Sequence, residues 1–363
     1  MGKKVRVGLI YGGKSGEHEV SLQTALAVMK AFDYAKYDII PFYITKQGKW
    51  HAGAVLGAPP QEVKELQYGP SAAGGELVPV LRSLQPGGGD AAGETLDVIF
   101  PLLHGTYGED GTIQGLLEMA DVPYVGAGVL ASAVGMDKVM MKKVFAQEGL
   151  PQCVYRHFNR TQWIKDPAFF IMEVEVALGY PCFIKPANLG SSVGISKARN
   201  REELTAAIEL AFRYDRKVIV EEFVDAREIE VSVLGNDEPR ASVPGEVITS
   251  SDFYDYDAKY VDGTSRMQIP ADVPEEVAEE VRKMALQAFL AIDGSGLSRV
   301  DFFLRRGDNQ LLINEVNTMP GFTPFSMYPL MWKETGMSYQ ELLDTLISLA
   351  VARHQEKQRI TYS

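Results

Sequence analysis

Glu315 and Asn317 stand two residues apart in LLINEVNTMPG, residues 311–321. The run opens with Leu311, Leu312 and Ile313, as a buried strand does. Side chains alternate faces along a strand, so the carboxylate and the carboxamide point the same way. Upstream, SRVDFFLRRGDNQLLINEVN holds two strand-like runs separated by Gly307-Asp308-Asn309, a turn sequence. A hairpin folded about Asp308 sets Asp301 opposite Glu315. Asp301, Glu315 and Asn317 then converge with oxygen donors only, a set that suits Mg²⁺, a hard cation that takes carboxylates together with substrate phosphates. Arg299 shares the face of Asp301 and brings a guanidinium beside the metal. A surface hairpin with ordinary polar alternation does not account for acids inside VDFFL and LLINEV, where an unpaired carboxylate is costly.

Phosphate chemistry has a second candidate in KPANLGSSVGISKA, residues 185–198. A strand leads into Lys185, and the loop Gly190-Ser191-Ser192-Val193-Gly194 offers N–H groups and hydroxyls to phosphate oxygens. Alone, the loop is equally a plain hairpin connection. Lys138 in MDKVMMKK reads by itself as a solvated lysine. Glu221 and Glu222 follow an apolar strand but face opposite ways, which argues against shared ligation. Glu17 and Glu19 in GGKSGEHEVSL lie between a strand end and a helix, the usual ligand position in open α/β sheets, and equally suit a helix start meeting the dipole. His104 follows a strand in HGTYGEDGTIQG and reads as a hydrogen-bonded loop residue. No Ser-His-Asp or Cys-His set stands out, which argues against covalent hydrolase chemistry.

One motif points elsewhere. GLIYGGKS, residues 8–15, matches the Walker A pattern. In a P-loop the strand ends at the first glycine. Here Leu9, Ile10 and Tyr11 carry the apolar run past Gly8, so the turn begins at Gly12 and the match reads as accidental.

The elements that position these residues fall into two patterns. Residues 5–11, 37–45 and 96–104 read as strands and 21–32 and 111–120 as helices, the latter with Asp110 as N-cap. This βαβ order implies an α/β domain with an open parallel sheet covered on both faces. Residues 46–95 form a loose surface excursion, rich in turn residues, with strand-like LVPVL inside it. An amphipathic helix spans 136–149. Beyond it, short strands at 180–187, 194–198, 217–224, 227–235, 241–248, 298–305 and 311–317 surround helices at 201–214 and 274–292, an α+β pattern closed by a helix from about residue 338. The segment 251–264, SDFYDYDAKYVDGT, is polar and aromatic without a steady period and reads as a lid over the site.

A chain of 363 residues suffices for two or three domains, and 46% hydrophobic with 23% charged residues is ordinary for a globular protein. The net charge of −12 argues against nucleic acid as a partner. No apolar run is long enough to cross a membrane, and the short apolar start lacks a cleavage site, so a mature cytoplasmic protein is expected. Cys153 and Cys182 give neither a disulfide framework nor a metal spacing.

Taken together, GGKSGEHEVSL, HGTYGEDGTIQG, MDK, FIKPANLGSSVGISK, FYDYDAKY, SRVDFF and NEVNTMPGFTPFSMYP resemble, in order and over nearly the whole chain, the D-alanine–D-alanine ligases of the ATP-grasp superfamily. The resemblance implies an N-terminal domain over residues 1–126 and a two-part ATP-grasp fold over 127–225 and 226–363. Lys138 and Lys185 would contact ATP phosphates, Glu221 and Val224 the adenine, and Glu228 the ribose. Asp301, Glu315 and Asn317 would carry two Mg²⁺ (or Mn²⁺) ions. Glu17 would hold the ammonium of the first D-alanine, in a network with Ser191 and Tyr260, and Ser326 and Met327 the carboxylate of the second. Arg299 and the Gly321 N–H would stabilise charge developing on oxygen. A homodimer making D-alanyl–D-alanine for peptidoglycan is implied. The alternatives are a ligase making a D-alanyl–D-lactate ester and, on other grounds, a P-loop kinase using Lys14 or a nucleotide-binding regulator without turnover.

Overall fold

The computed structural model describes residues 3–69, 95–190, 193–248 and 266–361. Ser191, Tyr260, the expected lid over 251–264 and the LVPVL run lie outside the described residues.

The first sheet is built from β1 (Val5–Gly12), β2 (Tyr37–Ile44), β3 (Trp50–Ala52) and β4 (Val98–Leu102), in the order β3-β2-β1-β4. β1 pairs in parallel with both β2 and β4, while β3 is an antiparallel edge. Central β1 is buried at every position from Arg6 on, which is why it reads as an unbroken apolar run rather than an alternation. Gly8 sits inside it because a Cβ there would come within 2.6 Å of Ile99 Cδ1. It is a packing glycine, and the strand ends only at Gly12, whose φ of +91° starts the turn. The Walker match is therefore accidental, as expected.

α1 (His18–Ala31) covers one face of this sheet and α2 (Thr112–Met119) the other. Asp110 is not the N-cap of α2. Gly111, with φ of +90°, holds that position, and the Asp110 carboxylate accepts the Thr112 and Tyr107 N–H groups instead. A helix not expected from the sequence, α3 (Val129–Met136), precedes the one expected over 136–149, which is α4 (Lys138–Gln147). Asp137 breaks them apart. Its extended backbone ends α3, and its side chain accepts the Val139 and Met140 N–H groups at the start of α4. Lys138 thereby becomes the first residue of a helix.

A second sheet runs β5 (Tyr155–Asn159), β6 (Cys182–Pro186), β7 (Ser196–Ala198) and β8 (Lys217–Glu222), in the antiparallel order β5-β8-β6-β7. α5 (Arg160–Lys165), α6 (Pro167–Ala177) and α7 (Arg201–Ala211) pack on it. The third sheet contains β9 (Ala226–Gly235), β10 (Arg240–Ala241), β11 (Gly245–Ile248), β12 (Arg266–Gln268), β13 (Gly296–Arg305) and β14 (Leu311–Asn317). Its path is β12-β11-β9-β13-β14, antiparallel throughout, with β10 paired to β9. α8 (Glu275–Ala291) fills one face.

α9 (Met327–Glu334) and α10 (Tyr339–Lys357) close the chain. α10 returns to the first sheet, where Leu342, Leu343, Leu346 and Ile347 share one core with Val7, Leu9 and Phe100. Polar contacts fasten the same join. Arg353 donates to the Tyr124 carbonyl at 3.0 Å and stacks on its ring, and Asp344 accepts from Tyr37 at 2.7 Å and Lys36 at 2.9 Å. Among the described residues no helix is long and apolar enough to cross a membrane.

Candidate active site

The β13–β14 hairpin brings the oxygen donors together by a route that differs from the expected one. On the turn side the pairs are Phe302–Ile313, Phe303–Leu312 and Leu304–Leu311, so the hairpin folds between Gly307 and Asp308. A bulge then adds Asn314 to β14, and the register beyond it is Asp301–Glu315, Val300–Val316 and Arg299–Asn317. The expected Asp301–Glu315 pair exists because the bulge offsets the shifted turn.

Across the sheet Asp301 also faces Glu230 on β9, so Glu230, Asp301 and Glu315 stand abreast on three strands. Arg299 answers this row. It donates to Asp301 through Nε and Nη2, both at 2.7 Å, and reaches Glu230 at 3.0 Å. Burial works against the guanidinium charge, but Asp301 and Glu230 outweigh it and raise the pKa well above the usual arginine value. Asn317 donates through Nδ2 to Asp301 at 3.0 Å. No group of three or more His, Cys, Asp and Glu side chains placed to hold a metal occurs among the described residues. Two carboxylates and a carboxamide oxygen still fit a hard cation whose remaining ligands are phosphate oxygens and water.

Facing the row are two lysines from the second layer. Lys138 leaves the first turn of α4, donates to the Leu189 carbonyl at 2.9 Å and lies 3.3 Å from Glu315. Lys185, at the end of β6, lies 2.5 Å from Glu221 Oε2. The other Glu221 oxygen meets Lys142 at 2.9 Å. Burial pushes the Glu221 carboxyl up, and the two ammonium groups override it, leaving the group far below the ordinary carboxylate range. Lys185 is raised despite burial, by Glu221 and Glu315. Glu222 points the other way, as expected, and accepts the Val154 N–H.

The first sheet supplies the third wall. Glu17 precedes α1, with an oxygen 3.3 Å from where a Cβ on Gly190 would stand. His104 is buried and donates through Nδ1 to the Met319 carbonyl at 3.1 Å, with Glu109 at 3.5 Å. It therefore ties the first sheet to the Met319-Pro320-Gly321 turn. Beyond that turn Ser326 Oγ accepts the Thr323 N–H at 3.1 Å and opens α9.

These walls enclose a cleft of about 620 Å³. Glu17, Lys138, Lys185, Glu228, Arg299, Asp301, Glu315, Asn317, Gly321, Ser326 and Met327 line it, while Glu221 and Val224 do not. Two family models match the chain, D-ala D-ala ligase N-terminus over residues 6–127 and D-ala D-ala ligase C-terminus over residues 144–348. The chain belongs to the D-alanine–D-alanine ligase family. It is 58% identical to the D-alanine–D-alanine ligase of Bacillus licheniformis, over 99% of both chains, and 56% identical to that of Geobacillus kaustophilus, over 99% of this chain and 98% of that one. Among solved structures, the D-alanine–D-alanine ligase of Coxiella burnetii matches with a TM-score of 0.81 at 33% identity, covering 99% of this chain and 97% of the other. The VanG D-Ala:D-Ser ligase of Enterococcus faecalis matches with the same TM-score at 36% identity, covering 96% and 100%.

Like other D-alanine–D-alanine ligases, this one has the ATP-grasp fold and is an ATP-dependent ligase. Three features of the site escaped sequence reasoning, two in the cleft wall and one, Lys142, beneath it. Glu230 and Lys142 came with no motif. Lys142 did carry a signal, since it follows Lys138 by four residues and so shares its helix face. The third is α9, whose start holds Ser326 and Met327 and which has no helix-start signal beyond Ser326 itself.

Proposed function

We propose that the chain joins two D-alanine molecules into D-alanyl–D-alanine for peptidoglycan precursors, through D-alanyl phosphate. The observation that carries this reading is the shared cleft, where two lysines, the oxygen donors, Arg299 and Glu17 meet from all three sheets. Lys138 and Lys185 hold the ATP phosphates as point charges. Glu228 meets the ribose. The Glu221 carboxylate holds two lysines, so the contribution of residues 221–224 to the adenine falls to Val224 and to backbone groups. Asp301, Glu315 and Asn317 would hold the Mg²⁺ or Mn²⁺ ions. When bound, these ions supply neutralisation of phosphate charge.

Glu17 receives the ammonium of the first D-alanine and so orients its carboxylate toward the γ-phosphate. A carboxylate oxygen attacks phosphorus, ADP leaves, and D-alanyl phosphate forms. The amine of the second D-alanine then attacks the acyl carbon, and phosphate leaves. Arg299 and the Gly321 N–H face the negative charge that develops on oxygen. Ser326 and Met327 hold the second carboxylate at the start of α9, where unpaired N–H groups and the helix dipole favour an anion. The roles expected for Ser191, Tyr260 and 251–264 belong to the same reading and fall outside the described residues. Domains over 1–126, 127–225 and 226–363, a homodimer and a cytoplasmic location complete this reading.

Phosphate release from ATP, measured with D-alanine, L-alanine, D-serine and D-lactate in turn, tests it. Release that requires D-alanine, with the dipeptide as main product, is expected. A preference for D-serine or D-lactate as acceptor would favour a second reading, motivated by the likeness to the D-Ala:D-Ser ligase. Release that ignores amino acids would overturn both.

A further inference from the structure

Lys142 is 1% exposed, deeper than either lysine of the cleft, and it does not line the cleft. It follows Lys138 by one helical turn on α4. Lys138 reaches the cleft, while Lys142 turns beneath it toward Glu221 and lies 5.8 Å from the Tyr155 ring centre. Glu221 is thus held between two ammonium groups, Lys142 on one oxygen and Lys185 on the other.

A buried carboxylate beside a single lysine makes a neutral pair, with little attraction left for an anion. The second lysine changes that balance. With Lys142, Glu221 and Lys185 all ionised, the trio carries one net positive charge, and Lys185 is its member in the cleft wall. We propose that Lys142 is a positioning residue for ATP. It neutralises Glu221 from below, so that Glu221 can fix the Lys185 ammonium in place without cancelling its charge toward phosphate. Low effective dielectric around buried groups lets such a charge act across several ångströms. The inference rests on the reading of Lys185 as a phosphate contact.

The test is ATP affinity, measured by calorimetry with Mg²⁺ and no D-alanine, in four proteins at fixed ionic strength. In Lys142→Met the trio becomes neutral, and ATP affinity should fall about tenfold or more, with the KM for D-alanine changed less than about twofold. Lys142→Met/Glu221→Gln removes one charge of each sign and restores the net charge, so its ATP affinity should return to within about threefold of wild type. This double variant leaves no unpaired buried carboxylate, so it serves as a folded comparator even where the single variant is unstable. Lys185→Met should lose ATP affinity. A double variant as weak as Lys142→Met, or about tenfold weaker than wild type, would overturn the proposal and leave Lys142 a packing residue. Wild-type affinity in Lys142→Met would do the same. Undiminished affinity in Lys185→Met would instead remove the phosphate role on which the proposal stands.

Discussion

Arg299 donates two hydrogen bonds to Asp301, two residues further along the same strand. Side chains at that spacing share a face, and the guanidinium fork matches the carboxylate. With Glu230 on the neighbouring strand as a third contact, the arginine has one position available to it. A lysine would keep the charge and lose the fork.

Asp301→Ala and Glu315→Ala should each lower ATP-dependent turnover at least about a hundredfold with the fold retained, because each removes an oxygen donor facing the phosphates. Phosphate release and far-ultraviolet circular dichroism measure the two halves. Near-normal turnover of both variants in ordinary Mg²⁺ would remove the metal role from this hairpin.

Glu221→Gln should destabilise the fold by about 3–5 kcal/mol, since it leaves Lys142 buried without a counter-charge. Denaturant melts of Glu221→Gln and of Lys142→Met/Glu221→Gln make the comparison. The double variant should be the more stable of the two. The reverse order would mean that the pair is not electrostatically coupled.

His104 has a raised pKa in the fold. Burial opposes the charge, and Glu109 and Glu17 outweigh it. Because the folded pKa exceeds the unfolded one, the protonated ring contributes stability that is fully present below the ordinary histidine value of 6.5 and fades as pH rises through the higher, folded value. The melting-temperature gap between wild type and His104→Asn should therefore be larger at pH 6 than at pH 9. A gap that grows with pH would contradict the sign.

Lys14→Ala should leave turnover within about twofold of wild type, because Lys14 stacks over the Tyr107 ring and follows a strand that runs on past Gly8. Gly8→Ala should destabilise by about 1–3 kcal/mol through overpacking against Ile99. Loss of turnover in Lys14→Ala would revive the P-loop reading.

Ser326→Ala should raise the KM for the second D-alanine about tenfold while ATP affinity stays unchanged. Ser326 Oγ holds Thr323 and so shapes the start of α9. An equal loss of ATP affinity would place Ser326 in the wrong half of the cleft.

The parallel first sheet was legible because β1, β2 and β4 are buried on both faces and read as apolar runs. The hairpin was legible because acids inside VDFFL and LLINEV demand partners. Its turn was set half a residue too late, and the pairing came right only because Asn314 forms a bulge that no residue type announces. β5, α5 and α6 were missed. β5 buries only Phe158, and α6 is apolar nearly all round, so neither shows a clean period. Glu230 was invisible for another reason, and Lys142 showed only its helical spacing from Lys138: their partners are Arg299 and Glu221, distant in sequence, and only the assembled sheets bring them together.

The join between α10 and the first sheet has a consequence for biosynthesis. A ribosome releases residues 5–102 long before residues 342–347 exist. Until Leu342, Leu343, Leu346 and Ile347 arrive, part of the core shared by Val7, Leu9 and Phe100 lacks its partner. The emerging amino-terminal sheet must wait with apolar surface uncovered, and the last helix made is the one that seals it.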